Sequence, residues 1–352
     1  MIANAAQLGE LLPQIESADR VAIDTEADSL HCYREKLCLL QISVPDRDAI
    51  VDPLAKLDLA PLSEVLAKKE IVLHGADFDL RLLRRSIEFV AEKIFDTVIA
   101  ARLTGIREFS LAALVQKYFG IELTKTSQKA NWAQRPLPTR MAEYAVNDTR
   151  YLLPLCEHLE KELDRQGRLD WFRQSCRRAI EMAAIDRTRE ADDEWRIAGA
   201  GALRGRAAAV LRELWRWREK EAQTVDRPPF HILQNRELLS AAERFVEGGA
   251  PDYKHFSERR RSAFRHAAER GLKLPEGEWP VKRRGTGTRP NAQTLKRIEH
   301  LRRERDHAAR DLNLEASVIA PRAALESIAA DEARSETLLL PWQQQLLGLP
   351  RK

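Results

Sequence analysis

Short apolar runs separated by turn residues dominate the first hundred positions of the chain, and this pattern predicts β-strands. The runs are Arg20–Asp24, Leu37–Val44, Ala49–Val51 and Ile71–His74. Because the first three follow one another closely, they predict an antiparallel meander. Helical spacing of apolar positions then predicts helices at Asp79–Arg85, Asp96–Thr104, Ser110–Phe119 and Thr139–Leu163. Residues 121–138 have no period and contain two prolines, which predicts a loop. Strands mixed with helices predict an α/β domain with a helix-covered sheet.

In the second half of the chain, the sequence pattern predicts only helices, which are interrupted by Pro/Gly-rich breaks. Residues 211–242 align without a gap on residues 298–329, with eight identities in 32 positions and turn-type residues Asp226 and Asn313 in register. This repeat predicts two small helical domains. The predicted organisation is an α/β domain at 1–170, a helical connector at 171–200, a helical domain at 201–280, and a second one at 281–352 after a basic linker.

Composition excludes several protein classes. Within the 352 residues, 32% of which are charged, there is no run of about 18 apolar residues of the kind that spans a bilayer. The N-terminus lacks the basic start and apolar stretch of a secretory signal. The four cysteines have no CxxC spacing, which indicates reduced thiols. We therefore predict a cytoplasmic protein that does not associate with membranes; the sequence indicates no particular protein partner.

The two halves of the chain differ in charge. Residues 1–170 contain 22 Lys and Arg against 27 Asp and Glu, whereas residues 171–352 contain 36 against 27. A basic region attracts polyanions such as nucleic acids, although charged helices are also common as solvated surfaces. The charge asymmetry favours a nucleic-acid partner for the helical half.

Five polar side chains in the first half have positions suited to one shared site. Asp24 and Glu26 lie at i and i+2 of a predicted strand, so they project from the same face. Tyr144 and Asp148 lie one turn apart on a predicted helix. Asp79 follows a strand at a strand-to-helix junction. Each motif alone also fits an ordinary acidic strand end, a surface aspartate or a helix N-cap.

Taken together, the carboxylates predict a metal site. Four carboxylates that converge on one point repel one another unless cations lie between them. Oxygen ligands of this kind prefer Mg²⁺ or Mn²⁺. A pair of such ions is a common device for cleaving phosphodiesters. The sequence therefore predicts a nuclease with catalytic residues Asp24, Glu26, Asp79, Tyr144 and Asp148.

Three motifs carry a resemblance to a known family over about residues 15–165: IDTEAD at Asp24 and Glu26, HGADFD at Asp79, and YAVND at Tyr144 and Asp148. In order and spacing they resemble the DEDD superfamily of 3′–5′ exonucleases, in its tyrosine-bearing branch. The segments LCLLQIS, FDT and SQKANWAQRPL are similar to ribonuclease D within that branch. His74 departs from the asparagine that is usual in the wider superfamily.

The resemblance implies an RNase H-like fold with two divalent ions, Mg²⁺ or Mn²⁺. It implies trimming of single-stranded RNA 3′ ends, as in tRNA precursors and other stable RNA, with release of nucleoside 5′-monophosphates. Asp24 would bridge both ions, Glu26 and Asp148 would complete the site of the attacking water, and Asp79 would hold the second ion. Tyr144 would orient that water. The helical repeats look like HRDC domains, which bind nucleic acids.

Six further residues are predicted to contact the substrate: His74, Phe78, Gln41, Lys129, Trp132 and Arg135. Ordinary packing is an equally good interpretation of Gln41 and Phe78, and Trp132 fits equally well as an anchor of its loop. Two alternative functions also remain at this point. One is a 3′–5′ DNA exonuclease with the same chemistry, and the other is a nucleic-acid-binding scaffold without activity.

Overall fold

The structure is a computed structural model that describes residues 1–124, 127–185, 193–281 and 290–350. Most of the predicted basic linker, including Lys282, Arg283 and Arg284, lies outside these described residues, as does part of the predicted connector. The chain divides into two compact units. The first comprises Met1–Ala27, Lys36–Ile185 and Gly287–Lys352, and the second comprises Asp28–Glu35 and Asp186–Thr286.

A five-stranded mixed sheet forms the centre of the first unit. Its strands are β1 (Arg20–Ala27), β2 (Leu37–Val44), β3 (Arg47–Val51), β4 (Glu70–Leu73) and β5 (Lys93–Asp96). They are ordered β3-β2-β1-β4-β5, with β1, β2 and β3 antiparallel and β1, β4 and β5 parallel. The predicted meander is therefore confirmed. The sequence pattern missed β5 because its apolar run is only two residues long.

Helices flank this sheet. They are α1 (Ala5–Ser17), α2 (Ala60–Ala67), α3 (Asp77–Ile87), α4 (Thr97–Leu103), α5 (Leu111–Phe119), α6 (Thr139–Arg150), α7 (Leu152–Arg165) and α8 (Leu169–Ala184). Ser110 caps α5 by accepting from the Ala113 N–H, and Gly120 ends it with φ of 69°. The single helix predicted over Thr139–Leu163 is instead two, α6 and α7. Pro154 explains the break, because it has no N–H to donate to the carbonyl four residues earlier.

The position of α6 fixes one wall of the site described below. This helix packs on β1, β2 and β3, whereas α8 packs on β5 at the other end of the sheet. The Thr149 and Ser43 hydroxyls are 2.8 Å apart, which ties the C-terminal end of α6 to β2. The buried side chains of Met141 and Ala145 face the same small core as Leu39. One face of α6 is thereby held on the sheet along its length.

The second unit is helical. Its helices are α9 (Gly205–Thr224), α10 (Pro229–Ile232), α11 (Asn235–Val246) and α12 (Glu258–Lys273). They enclose an apolar core that includes Leu214, Trp217 and Phe264. The segment 28–35 belongs to this unit, and its Tyr33 N–H donates to Asp226 Oδ1 at 3.1 Å. The predicted α/β domain at 1–170 therefore has one loop that groups with the helices.

Five more helices complete the first unit: α13 (Ala292–Asp311), α14 (Ala316–Ile319), α15 (Arg322–Ala330), α16 (Ser335–Leu338) and α17 (Pro341–Leu346). The first three begin 87 residues after α9, α10 and α11 respectively (205 to 292, 229 to 316, 235 to 322). The turn-type residues Asp226 and Asn313 both have positive φ, at 45° and 51°. The internal repeat is therefore confirmed in the helices themselves.

The second copy of the repeat packs on the α/β part of its own unit. Arg168 is buried and donates to the carbonyls of Leu103 at 2.6 Å and Leu312 at 2.8 Å. The rings of Trp171 and Trp342 stack with their centroids 4.8 Å apart. The α/β part and α13–α17 thus share one continuous apolar core.

The cysteines and the lengths of the apolar helices agree with the sequence pattern. All four cysteines lie in the described part of the chain, are buried and form no disulfide. Among the described helices, none is both long and apolar enough to cross a bilayer.

Candidate active site

The central strand β1 supplies two of the five predicted site residues. Asp24 and Glu26 lie two positions apart in the strand, so their carboxylates project from the same face of the sheet. Asp24 pairs with Gln41 of β2, and the register shifts between Glu26 and Ala27. The sequence prediction of a shared face is thus met by the strand.

Helix α6 supplies the second pair. Tyr144 and Asp148 lie one turn apart on it, and both are half-buried. Their face adjoins the one that Met141 and Ala145 hold on the sheet, and both side chains line the same cavity as Asp24 and Glu26 of β1.

Asp79 lies in the first turn of α3, which follows β4. It is not among the described residues that line the cavity, but it lies close enough to raise the pKa values of Asp24, Glu26 and Asp148. The side chain is 6% exposed, and its Oδ1 accepts a hydrogen bond from Thr25 Oγ1 at 2.5 Å. Thr25 lies between Asp24 and Glu26 on β1. The bond therefore fixes α3 to the strand that carries the other carboxylates. The N-cap of α3 is Ala76, so Asp79 does not have the capping role that was the alternative interpretation.

These elements bring the carboxylates together. Asp24, Glu26 and Asp148 each offer an oxygen, and the three oxygens all lie within 4.8 Å of one another. They line a cavity of about 430 Å³ together with Tyr144 and, from the other walls, Thr25, His74, Phe78, Ser110, Leu111, Ala112, Leu123, Thr124 and Gln128. The three acidic oxygens are close enough to bind one cation simultaneously.

The electrostatics of the cavity show strong mutual repulsion. Desolvation and the carboxylates of Asp148 and Asp79 raise the pKa of Glu26 to about 9. Desolvation raises the pKa of Asp148 to about 7 and that of Asp79 to about 6. The pKa of Asp24 is raised well above its ordinary value by desolvation and by Asp79, Asp148 and Glu26.

No lysine or arginine occurs among the described residues that line this cavity. The negative charge of the cluster is therefore not compensated by a side chain there. A hard divalent cation suits this donor set, because carboxylate oxygens are its preferred ligands and its charge would relieve the repulsion. The residues present thus fit a divalent metal site.

Tyr144 remains a protonated hydroxyl in this setting. Desolvation raises its pKa, and so do the charges of Asp148, Glu26 and Asp24. A group with a pKa above 10 cannot act as a base near neutral pH. The Gln128 side chain, on the loop before α6, lines the same cavity and acts on the Tyr144 pKa in the opposite direction. Tyr144 is thus suited to hold and orient a neighbouring molecule.

Comparison with known sequences agrees with this geometry. A family described as 3′-5′ exonuclease matches residues 1–164, and the HRDC domain matches residues 207–245. The chain is 28% identical to "Ribonuclease D" of Sphingobium indicum over 99% of its own length and 92% of the relative's. It is 33% identical to "Ribonuclease D" of Xanthomonas oryzae pv. oryzae over 67% of its own length and 66% of the relative's. The chain belongs to the ribonuclease D family.

The solved structure of Escherichia coli RNase D agrees in fold. It superposes with a TM-score of 0.75 at 23% sequence identity, covering 100% of this chain and 99% of that one. The predicted fold is confirmed: a mixed sheet flanked by helices, with a helical C-terminal region that includes an HRDC domain. The expected enzyme class for a chain of the ribonuclease D family is a 3′–5′ exoribonuclease.

Two predicted substrate contacts lie at the cavity of this ribonuclease D-like chain. Phe78 is 45% exposed and presents its ring at the cavity wall. His74 follows β4, and its Nδ1 is 2.9 Å from Thr97 Oγ1. Burial lowers the pKa of His74, which keeps the imidazole neutral at physiological pH. Both side chains line the cavity that Asp24, Glu26 and Asp148 share.

Three of the residues predicted to contact the substrate lie outside the cavity wall, so the prediction was wrong for them. Gln41 is fully buried in β2, Trp132 is 1% exposed within an apolar core, and Arg135 is bound to Asp52 through two hydrogen bonds. None of the three is among the described residues of the cavity wall. A buried indole cannot stack on an RNA strand, and a guanidinium already paired cannot clamp one. Lys129 is exposed, and its role stays a prediction.

Sequence reasoning missed several residues of the cavity wall. Gln128, Leu123 and Thr124 lie in the loop 121–138, which has no period to indicate what its side chains contact. Ser110, Leu111 and Ala112 lie at the start of α5. The N-cap at Ser110 was recognisable, and helix N-termini are common places for anionic ligands. The sequence therefore contains a signal for the wall residues at the start of α5.

Proposed function

We propose that the chain is a 3′–5′ exoribonuclease that uses two divalent ions, Mg²⁺ or Mn²⁺. It would trim single-stranded 3′ ends of RNA, including tRNA precursors and other stable RNA, and release nucleoside 5′-monophosphates. The name ribonuclease D of its relatives supports RNA as the substrate. The observation that carries the proposal is the convergence of Asp24, Glu26 and Asp148 within 4.8 Å at one cavity.

Each carboxylate is proposed as a ligand. Asp24, Glu26, Asp148 and Asp79 would together hold the divalent ions, with Glu26 and Asp148 on the side of the attacking water and Asp79 on the side of the leaving 3′ oxygen. When bound, the cations would lower the pKa of water and neutralise charge that develops on the phosphate. Water can then attack the phosphate directly, and the reaction needs no covalent enzyme intermediate.

The uncharged groups would position the substrate. The Tyr144 hydroxyl, which lines the cavity with Asp148 and Gln128, would orient the attacking water by a hydrogen bond. The exposed ring of Phe78 would stack on a terminal base. The neutral imidazole of His74 would lie beside the terminal nucleotide as a hydrogen-bonding group.

The remaining domains and the location of the enzyme follow as proposals. The match at residues 207–245 supports an HRDC domain within 201–280, and the 87-residue repeat supports a second HRDC-like domain within 281–352. The α/β domain is proposed at 1–170 and the connector at 171–200. Four buried cysteines without a disulfide fit a reducing cytoplasm.

Degradation of matched RNA and DNA strands tests the proposed function. A 5′-labelled RNA with a single-stranded 3′ tail, and a DNA of the same sequence, are each incubated with the full chain and Mg²⁺ or Mn²⁺. We expect a ladder of RNA shortened one nucleotide at a time from the 3′ end, with nucleoside 5′-monophosphates as product. EDTA should stop the reaction, and Asp24→Asn protein should produce no ladder.

The other outcomes correspond to the alternatives. Faster degradation of the DNA strand would favour the DNA exonuclease. Binding of both strands without degradation in either metal would favour the inactive scaffold. A 3′-extended tRNA transcript, assayed in parallel, tests the proposed substrate class, because trimming should stop near the base-paired stem if single-stranded ends are required.

A further inference from the structure

The guanidinium of Arg135 uses all of its hydrogen-bond donors within the chain and leaves none for a substrate. The group has five N–H donors, and the structure shows five acceptors. Nε and Nη2 donate to the two carboxylate oxygens of Asp52 at 2.7 and 2.6 Å. Nη2 also donates to the Cys38 carbonyl at 2.9 Å, and Nη1 donates to the carbonyls of Trp132 and Gln134 at 2.9 and 2.8 Å. One side chain thus fastens the loop 127–138 to the sheet.

Asp52, the partner, is itself firmly placed. It follows β3, is 4% exposed, and its Oδ1 accepts from the Leu54 N–H at 3.0 Å. Its own N–H donates to the Ile2 carbonyl at 2.9 Å. Bidentate pairing between guanidinium and carboxylate fixes orientation as well as distance. The Arg135–Asp52 pair is therefore a rigid attachment point for the loop.

The loop lies beside Tyr144 at two places. The Trp132 ring is 5.9 Å from the Tyr144 ring, centroid to centroid, and packs with Met141 and Ala145 on either side of Tyr144 in the sequence of α6. Gln128 lines the same cavity as Tyr144, close enough to influence the pKa of its hydroxyl. The ring of Tyr144 thus packs on the segment that Arg135 fastens, and its hydroxyl lies beside that segment.

We propose that Arg135, through its pair with Asp52, is a positioning residue for the reaction: it holds the loop so that Trp132 and Gln128 set the orientation of Tyr144. This inference rests on the proposed function. Misplacement of a reacting or orienting group by about 1 Å costs up to about 10²-fold in rate. Disturbing the pair should therefore slow turnover without weakening the binding of RNA.

Arginine-to-lysine substitution at two matched ion pairs tests the proposal. Arg135→Lys keeps the charge but loses the five-donor geometry. Arg150→Lys is the control, because Arg150 pairs with Asp48 at the other end of β3 through an exposed contact at 2.7 Å. Using the RNA assay above, we expect kcat to fall about tenfold in Arg135→Lys, with KM within about twofold. Arg150→Lys should stay within about twofold of the wild type in both.

A double-mutant cycle separates positioning from general destabilisation. If Arg135 acts through Tyr144, then Arg135→Lys in a Tyr144→Phe background should reduce kcat by less than about twofold further. Gln128→Ala is a second variant that does not threaten folding, because Gln128 is exposed. It should reduce kcat about threefold in the wild type and have no effect in Tyr144→Phe, where the hydroxyl is absent.

Equal losses in both backgrounds would overturn the positioning role, as would an effect on KM alone. These results leave the proposed function intact, because the wild type would still degrade RNA. A wild-type chain that degrades no RNA would instead overturn the proposed function, and this inference with it.

Discussion

Two acidic sites in the same compact unit differ in how their charge is compensated. Asp52 and Asp79 are almost equally buried, at 4% and 6% exposure. Asp52 faces Arg135, which holds the pKa of Asp52 below its ordinary value although burial opposes this. Desolvation raises the pKa of Asp79 to about 6, and Asp79 in turn raises the pKa values of Asp24, Glu26 and Asp148. Within the described part of the chain, the charge of Asp52 is thus neutralised by a side chain of the protein, whereas that of Asp79 is not.

The difference separates a structural role from a functional one. Burying a charge costs several kcal/mol unless a partner compensates it. The chain supplies that partner at Asp52, where the carboxylate fastens a loop outside the cavity. At the cavity it supplies no basic partner among the described wall residues, which leaves the repulsion to be relieved by a cation from solution. Uncompensated, desolvated carboxylates are therefore the informative feature of the site.

The largest expected effect is on turnover. Asp24→Asn should reduce the rate of RNA degradation by at least about 10³-fold, because it removes a proposed ligand of the metal site. The same change should not lower the melting temperature of the metal-free protein, since it removes one of several carboxylates that repel one another. Steady-state kinetics and thermal unfolding measure the two effects. Near-normal activity would remove Asp24 from the site.

An Asp-to-Asn substitution at Asp52, whose charge Arg135 compensates, should lower the stability of the fold. Asp52→Asn should destabilise the fold by about 3 kcal/mol at pH 7, because it leaves the Arg135 charge without its partner. Urea unfolding measures this loss. A stability equal to that of the wild type would contradict the structural role given to the pair.

The pH dependence of that loss has a definite sign. Since the folded pKa of Asp52 is lowered, its ionised form stabilises the fold above the unfolded value of about 3.9. This contribution is lost as the pH falls through the folded pKa. The difference between wild type and Asp52→Asn should therefore be full at pH 7 and shrink in strong acid. A difference that grows on acidification would contradict the pairing.

Loss of one hydroxyl at the cavity should have a smaller effect than loss of Asp24. Tyr144→Phe should lower kcat about 10²-fold, the scale of one oriented hydrogen bond in a transition state. Tyr118→Phe is the matched control, because Tyr118 stacks on His158 and does not line the cavity. The control should stay within about twofold of the wild type. Equal effects of the two substitutions would show that Tyr144 has no special role.

The smallest expected effect is stabilisation by metal. Saturating Mg²⁺ or Mn²⁺ should raise the melting temperature by about 2–4 °C at pH 8. The rise should be smaller at pH 6, because carboxyl groups with raised pKa values are then protonated and the cation must displace the protons. Ca²⁺ should also stabilise the protein but should not support cleavage, because its looser coordination positions water poorly. A larger rise at pH 6 would contradict this account.

Much of the site followed from local spacing. Asp24 and Glu26 share a strand face at i and i+2, and Tyr144 and Asp148 share a helix face at i and i+4. These relations depend only on backbone period, so the sequence predicts them. The helix cap at Ser110 and the 87-residue repeat were predictable for the same reason.

The errors concern contacts that no local period describes. Trp132 and Arg135 lie in an aperiodic loop, where an aromatic or basic residue next to a predicted site looks like a substrate contact. Their real contacts are with the far end of β3 and with α6, which only the folded chain brings near. Gln41 lies opposite Asp24 but is buried, because α6 covers that part of the sheet. Tertiary packing therefore determines the contacts of all three residues.

The central claim is that the uncompensated carboxylates bind divalent cations. Calorimetric titration of Mn²⁺ into the metal-free chain at pH 8 tests it most directly, with Asp148→Asn as the site variant and Asp48→Asn as the control outside the cavity. We predict saturable binding of two ions to the wild type and to the control, and loss of at least one of them in Asp148→Asn. Absence of saturable binding to the wild type, or equal binding by all three proteins, would contradict the account.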